Sequence, residues 1–175
     1  MESVTVNKKL FLFLHVLGIS VFVLSYMCAC EKEKHSTTSS ISADSLNEVK
    51  FHREGELAFI SKESRKKIKT IDIEIADTPG ELEAGLMFRR TMADTEGMLF
   101  VFKKAKTRFF WMENTYIPLD MIFVDENMKI VKIEKNTIPM SEEKIPTHKN
   151  TLYTVEVNAG FCDRYGINVG DYIQF

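Results

Sequence analysis

Apolar and polar residues alternate most clearly between residues 67 and 76, where three isoleucines are interleaved with an aspartate and a glutamate. A period of two is typical of a strand with one buried face. The segment 152–157 alternates in the same way, and a short strand is predicted at residues 56–61. The remaining apolar runs predict strands at residues 98–102, 109–112, 121–124, 129–135 and 172–175.

Two short helices interrupt this series of strands. Thr78 is a suitable N-cap, Pro79 suits the first helical position, and Glu81 completes a capping box. The apolar pattern extends this helix through Gly85, whose cost to helix stability suggests close packing against a strand. A second short helix is predicted between residues 158 and 165.

The order of elements predicts one α+β, β-rich domain over residues 51–175. Predominantly antiparallel hairpins in a chain of this length suggest a small, partly closed antiparallel barrel with two short helices at its rim.

The N-terminal region has the pattern of a secretory signal. Two lysines precede an apolar run over residues 10–27, and a positive end followed by an apolar core is typical of an export signal. An uncleaved anchor helix is the alternative, because a helix of ~20 apolar residues spans a bilayer. Residues 31–50 are charged and rich in serine and threonine, which predicts a flexible tether.

Cysteines close the apolar run and point to the first of these alternatives. Cys30 follows the small residue Ala29 and precedes a charged segment, an arrangement that resembles the processing site of bacterial lipoproteins. The sequence therefore predicts residues 1–30 as a signal peptide and Cys30 as the lipidated residue, with Cys28 as the alternative position. We expect a bacterial cell-envelope protein that is anchored in the membrane and faces the periplasm or the exterior.

Composition and motifs limit the chemistry of the domain. A net charge of −2, with 27% charged residues of mixed sign, gives no basic stripe, so no nucleic-acid partner is predicted. Beyond the signal and tether the only histidines are His52 and His148, far apart in sequence, so no metal is predicted. Glycine-rich phosphate loops and nucleophile elbows are not found in the sequence, and no cofactor is predicted. Cys162 is interpreted as a small buried residue, with a nucleophilic role as the alternative.

The segment 109–125 carries the candidate site. It contains aromatic side chains, a polar turn stiffened by Pro118, and an acid that opens an apolar strand. Aromatic surface beside a few fixed polar groups is typical of a small-ligand or sugar site. Core packing is the alternative for the aromatic residues, and shaping of the turn is the alternative for the polar ones. With the basic residue near the first helix end, the candidate ligand-binding residues are Arg89, Phe110, Trp111, Asn114, Thr115 and Asp120.

Arg89 and Asp120 are expected to pair or to share the pocket beside the Asn114-Thr115 turn, because a partly buried carboxylate needs an opposite charge or hydrogen bonds.

Four motifs in this order resemble a known family: Gly85-Leu86-Met87-x-Arg89, Gly97-Met98-Leu99-Phe100-Val101-Phe102, Phe110-Trp111-Met112-x-Asn114-Thr115-x-Ile117-Pro118-Leu119-Asp120 and Gly166-Ile167-x-x-Gly170-Asp171. The resemblance is to the prokaryotic domain of unknown function 192 family, over residues 68–175. It implies a compact β-rich domain with a pocket, often exported, without an established activity. Glu113 departs from the family, in which this position is usually basic, so the resemblance implies no anion-binding role there.

The expected function is a non-catalytic ligand-binding domain for a glycan or another small polar ligand, held at the membrane by its lipid anchor. Two alternatives remain open. One is a carboxylate-dependent hydrolase that uses Asp120, Glu113 and Glu81. The other is a structural or assembly partner in an envelope complex.

Overall fold

The computed structural model describes residues 49–175. The predicted signal peptide, Cys28 and Cys30, and the tether up to residue 48 lie outside the described residues, so these predictions stand as made. Within residues 49–175, no helix is long and apolar enough to cross a membrane.

The described part of the chain forms nine strands and two short helices. The strands are β1 (Gly55–Ile60), β2 (Lys67–Ala76), β3 (Glu96–Lys106), β4 (Phe109–Phe110), β5 (Leu119–Val124), β6 (Ile130–Glu134), β7 (Ile145–Pro146), β8 (Thr151–Asn158) and β9 (Tyr172–Gln174). The helices are α1 (Pro79–Ala84) and α2 (Phe161–Tyr165). The prediction of a β-rich domain with two short helices is confirmed.

Seven of these strands form one mixed sheet in the order β6-β5-β8-β3-β2-β1-β9, and β4 pairs with β7 separately. The prediction of an antiparallel sheet is wrong at its centre, because β2 and β3 are parallel. The reason lies in the connection between them. It contains α1 and is long enough for a crossover, so β3 enters the sheet in the same direction as β2.

The sheet does not close into a barrel. Its edge strands β6 and β9 approach each other only near their first residues. There Lys129, which precedes β6, and Tyr172, which begins β9, form an isolated antiparallel bridge. The Ile130 N–H donates to the Asp171 carbonyl over 2.8 Å, and the Ile173 N–H donates to the Met128 carbonyl over 2.9 Å. These few bonds join the two edges without a continuous ladder, so the predicted barrel is present only as a curled open sheet.

Both faces of the central strands are covered by apolar residues. One face, the sheet core, includes Leu99, Ile122, Val155 and Val157 and packs against α2. The opposite face, the pocket-side core, includes Met98, Phe100, Leu119, Met121 and Phe123. Covered faces on both sides explain why β5 is buried at every position.

Helix α1 has the predicted start and an earlier end than predicted. The Glu81 N–H donates to the Thr78 hydroxyl, and the Glu81 carboxylate accepts from the Thr78 N–H, so the capping box is confirmed. The helix stops at Ala84 because Gly85 adopts φ 46°, a left-handed value that favours glycine. The expected close packing is present, since a Cβ on Gly85 would lie 3.0 Å from the Phe100 ring.

Candidate ligand-binding site

A pocket of about 100 Å³ lies on the pocket-side core, between β3, the segment 82–87 and the segment 108–115. We call it the aromatic pocket. Its lining combines exposed residues with six buried ones: Leu86, Phe100, Met112, Thr115, Leu119 and Glu156. Five aromatic side chains contribute to its walls: Phe100, Phe102, Phe109, Phe110 and Trp111.

Phe110 and Trp111 both line the aromatic pocket, as the sequence suggested for a ligand site. The Phe110 ring is held in place by other rings, with centroid distances of 5.8 Å to Phe100 and 5.4 Å to Phe123. Trp111 remains 40% exposed, so its indole is not part of a closed core. Phe110 is therefore a packed part of the pocket wall, while Trp111 presents an exposed apolar ring face to the pocket.

The polar turn contributes one residue to the pocket and uses the other for its own shape. Thr115 is buried and lines the pocket, and its hydroxyl donates to the Glu113 carbonyl over 3.2 Å. Asn114 adopts φ 53°, a conformation that asparagine tolerates, and its carbonyl accepts from the Phe88 N–H over 2.8 Å. Asn114 is not part of the pocket lining, and it shapes the loop instead.

Glu156 is a buried residue of the pocket lining and is not among the residues that the sequence indicated. It is 5% exposed, and no hydrogen bond or ion pair of its side chain is found among the described residues. Burial raises the pKa of this carboxyl group to about 8. Its neighbours on the flanking strands are Met98 and Met121, which offer no charge.

The sequence indicates the burial of Glu156 only once the strand order, in which β8 lies between β3 and β5, is known. Alternation along β8 places Glu156 on the other face of the strand from Val155 and Val157. This pattern by itself suggests an acid that faces solvent. The adjacent strands are continuous apolar runs at residues 98–102 and 121–124, however, and such runs are typical of strands buried on both faces. An acid in a strand that lies between them is therefore expected to be buried.

Arg108 also lines the pocket and is not among the residues that the sequence indicated. Its guanidinium donates to the carbonyl groups of Lys104 and Thr151, both over 2.5 Å. The same group lies 3.8 Å from the centroid of the Phe102 ring, in a cation–π contact. Burial lowers the pKa of Arg108, and these contacts hold a fixed positive charge in the pocket wall.

Arg89 does not pair with Asp120, which corrects the expected ion pair. Its Nη2 lies 2.5 Å from Oε2 of Glu74 on β2, and both side chains are buried. Arg89 is not part of the pocket lining. The expectation was wrong because the parallel crossover brings the end of the α1 segment over β2, where Glu74 is the nearer acid.

Asp120 is fully buried. Its carboxylate accepts hydrogen bonds from backbone amide groups and forms no ion pair with a charged side chain of residues 49–175. Its oxygens accept from three amide groups, those of Asn136 (3.0 Å), Gly160 (3.2 Å) and Cys162 (2.9 Å). These bonds fix the start of α2 against β5. Asp120 lies outside the pocket lining, so it is an architectural residue in this fold.

The residues considered for catalysis are not brought together. Glu81 is used in the capping box, Asp120 binds backbone amides, and neither they nor the exposed Glu113 line the aromatic pocket. Cys162 is buried, and burial together with the nearby Asp120 carboxylate raises the pKa of its thiol well above the usual range. Within residues 49–175, no group of three histidine, cysteine or acidic side chains is placed to hold a metal.

A wider groove continues outward from the aromatic pocket and shares Phe102, Phe109 and Trp111 with it. We call it the lysine groove. Four lysines line it, against the two acids Asp77 and Glu83. Together with Arg108, these lysines give the approach to the pocket a net positive charge. The four lysines are Lys103, Lys104, Lys106 and Lys144.

Comparisons with known proteins give a family and a fold. The model of the DUF192 family, described as "Uncharacterized ACR", matches residues 60–175. A crystal structure from Sinorhizobium meliloti 1021, of a protein named as a candidate transcription regulator, is 37% identical. It covers 73% of this chain and 96% of its own, with a TM-score of 0.67. A protein of unknown function from Novosphingobium aromaticivorans DSM 12444 is 34% identical, covers 69% and 84% of the two chains, and has a TM-score of 0.65. No curated protein matches this chain.

Proposed function

This chain belongs to the DUF192 family, and we propose that its domain is a non-catalytic ligand-binding module of the bacterial cell envelope. The ligand is a glycan or another small polar molecule that places an apolar ring face against Trp111. The observation that carries this proposal is the aromatic pocket itself, in which a partly exposed indole stands beside fixed polar groups. Concave, mostly apolar sites with a few placed polar groups are the usual form of small-molecule sites.

The rigidity of the pocket supports binding. Phe110 is fixed by ring contacts, Arg108 by backbone carbonyl groups, and Thr115 by the turn. Side chains that are already ordered lose little conformational freedom when a ligand arrives, which favours affinity. The lysine groove adds a positive approach that favours ligands with negative charge.

The envelope location is the second part of the proposal and rests on the sequence of residues 1–30. Metabolic labelling with a fatty acid tests it directly. We expect label on the wild-type chain and none on the Cys30→Ser variant. Label retained by Cys30→Ser and lost by Cys28→Ser would move the lipid site by two residues, and no label on the wild type would contradict the anchor.

Intrinsic fluorescence tests ligand binding, because Trp111 is the only tryptophan of the chain and lines the pocket. The full chain is titrated with a panel of glycans and small metabolites. We expect at least one compound to change the Trp111 emission in a saturable way. Emission that stays constant across a broad panel would count against a ligand site at the pocket.

A matched pair of variants separates pocket binding from adventitious contact. Phe110→Leu removes a ring from the pocket wall, and we expect it to weaken binding of the active compound. Phe88→Leu makes the same change at an exposed ring outside the pocket lining and should leave the affinity unchanged. Equal effects of the two variants would place the binding elsewhere.

A carboxylate-dependent hydrolase is the second candidate, and Glu156 is the observation in its favour. A carboxyl group that keeps its proton near neutral pH in an apolar pocket has the environment of a general acid. The other acid in the lining, Glu83, is exposed. Turnover of a glycoside or ester panel that is lost in Glu156→Gln would favour this candidate over binding alone.

A further inference from the structure

The Glu156 side chain is buried, at 5% exposed, and has no hydrogen-bond or ion-pair partner within residues 49–175. Buried side-chain polar groups in folded proteins are nearly always hydrogen-bonded, and each exception calls for an explanation. The carboxyl group of Glu156 is within the lining of the aromatic pocket, so the pocket is the space from which a partner can come.

The strand register shows that no neighbour on the sheet supplies this partner. Glu156 lies between Met98 on β3 and Met121 on β5. Residues paired from strand to strand form a row across the sheet, and the next residue beyond each methionine in this row is again an acid. Glu74 forms an ion pair with Arg89, and the Glu134 carboxylate lies 3.0 Å from the Lys132 ammonium group. The charged groups nearest to Glu156 along the sheet are therefore acids that already have their own bases.

The pocket walls add two charged groups, Arg108 and Glu83. Arg108 already donates to backbone carbonyl groups, and Glu83 is exposed. Because burial raises the pKa of Glu156 to about 8, this carboxyl group holds its proton at neutral pH and offers an O–H donor to the pocket.

We propose that Glu156 is the polar anchor of the aromatic pocket and donates a hydrogen bond to a carboxylate oxygen of the ligand. The ligand is then a small organic acid that carries an apolar ring. This inference rests on the proposed ligand-binding function and names its ligand class.

Size and charge both point to this class. A cavity of ~150 Å³ lined by apolar side chains holds a benzene ring, and the aromatic pocket, at about 100 Å³ with an open mouth, has room for one ring of that kind. The lysine groove and Arg108 attract an anion and repel a cation. A protonated carboxyl group paired with a carboxylate gives a short, charge-assisted hydrogen bond.

Three probe compounds that share a ring and differ in their polar group test the ligand class: benzoate, benzamide and benzylammonium. The full chain is titrated with each by isothermal titration calorimetry. We expect benzoate to bind most tightly, benzamide more weakly, and benzylammonium not at all. Benzoate affinity should fall about tenfold between about pH 7 and about pH 9, as the protonated fraction of Glu156 falls.

Three variants test the residue. Glu156→Gln keeps a donor of similar size and removes the titration, so benzoate should bind with no such fall in affinity. Glu156→Leu removes the donor, and we expect benzoate affinity at pH 7 to fall by about tenfold or more. Glu134→Gln neutralises another acid of the same row and serves as the control, with binding unchanged. The other charged groups of this row and of the pocket wall, which Glu156→Gln leaves unchanged, are Glu74, Glu83, Arg89, Arg108, Lys132 and Glu134. A tenfold fall in affinity that persists in Glu156→Gln would therefore overturn the role of Glu156.

The outcomes separate this inference from the function on which it rests. Benzylammonium binding that strengthens with rising pH would overturn it, because Glu156 would then act as an anion. Equal benzoate affinity in the wild type and Glu156→Leu would remove Glu156 from recognition while leaving the pocket as a ligand site. If the wild type does not bind benzoate, the ligand class is wrong, and the Trp111 fluorescence panel still decides whether the pocket binds another compound.

Discussion

Arg89 and Glu74 form a buried ion pair in which Nη2 of the arginine lies 2.5 Å from Oε2 of the glutamate. The other Glu74 oxygen accepts from the His52 N–H over 2.6 Å, so both carboxylate oxygens are used. Arg89 lies two residues after the segment 82–87, which lines the aromatic pocket. The pair therefore ties this wall of the pocket to β2, at the centre of the sheet.

Breaking the pair from either side should destabilise the fold. Arg89→Gln and Glu74→Gln each leave a buried charge without its partner, and we expect losses of ~3–5 kcal/mol in the free energy of unfolding. The double variant should lose less than the sum, because the two changes remove one interaction. Urea denaturation measures all three. Arg53→Gln, which breaks an exposed pair with Asp72, is the control and should change stability little. Small, additive losses at positions 74 and 89 would contradict the buried pair.

Asp120 should matter for stability and not for binding. Asp120→Ala leaves the buried Cys162 N–H and the partly buried N–H groups of Asn136 and Gly160 without their acceptor. Since a buried group without a partner costs ~1–3 kcal/mol, the Cys162 N–H alone predicts a loss of at least ~1 kcal/mol in the free energy of unfolding. The affinity of the folded fraction for a pocket ligand should match the wild type. A variant that keeps its stability but loses affinity would return Asp120 to the ligand site.

Glu156 should make the fold less stable at alkaline pH. Its pKa is about 8 in the folded protein against an ordinary value of 4.5. Between these values the folded state keeps a proton that the unfolded state has lost, so stability falls as pH rises and levels off above the folded pKa. The full loss is on the order of 5 kcal/mol, because each unit of difference between the two pKa values corresponds to about 1.4 kcal/mol. Thermal denaturation across this range should show that Glu156→Gln removes the decline. A parallel decline in both proteins would assign it to other groups.

Gly97 should tolerate no larger side chain. A Cβ at this position would lie 2.9 Å from the Glu156 carbonyl oxygen and 2.9 Å from Cδ1 of Ile71. Backbone cannot move aside without disturbing the β3–β8 ladder, so we expect Gly97→Ala to cost ~1–3 kcal/mol in chemical denaturation. Gly80→Ala is the matched control, because nothing lies within 4 Å of a Cβ there. Equal stability of the two variants would show that β3 and β8 can separate at this point.

Local features of the chain could be predicted from the sequence. The alternation of isoleucines located β2, and the Thr78 capping box located the start of α1. Phe110 and Trp111 lie in one aromatic run and Thr115 lies in the polar turn that follows it, and all three line the pocket. These predictions depended on interactions between residues close together in the chain.

Features that depend on strand order could not be predicted in this way. Glu74 and Glu156 alternate with apolar residues, which suggests exposure, yet the second face of the sheet is covered by the segments that follow α1 and β4. The parallel pairing of β2 with β3 sets the partner of Arg89. Asp120 reaches α2 across 42 residues of chain, a contact that no local pattern indicates.

We propose that a small ligand binds in the aromatic pocket, and methionine methyl NMR locates the bound compound most directly. Met87 and Met112 line the pocket, whereas Met128 lies beside β9, outside its lining. With methyl-labelled methionine in the full chain, we expect a bound compound such as benzoate to shift the signals of Met87 and Met112 and to leave that of Met128 in place. Shifts at Met128 without shifts at Met87 and Met112, at saturating compound, would contradict a ligand site in this pocket.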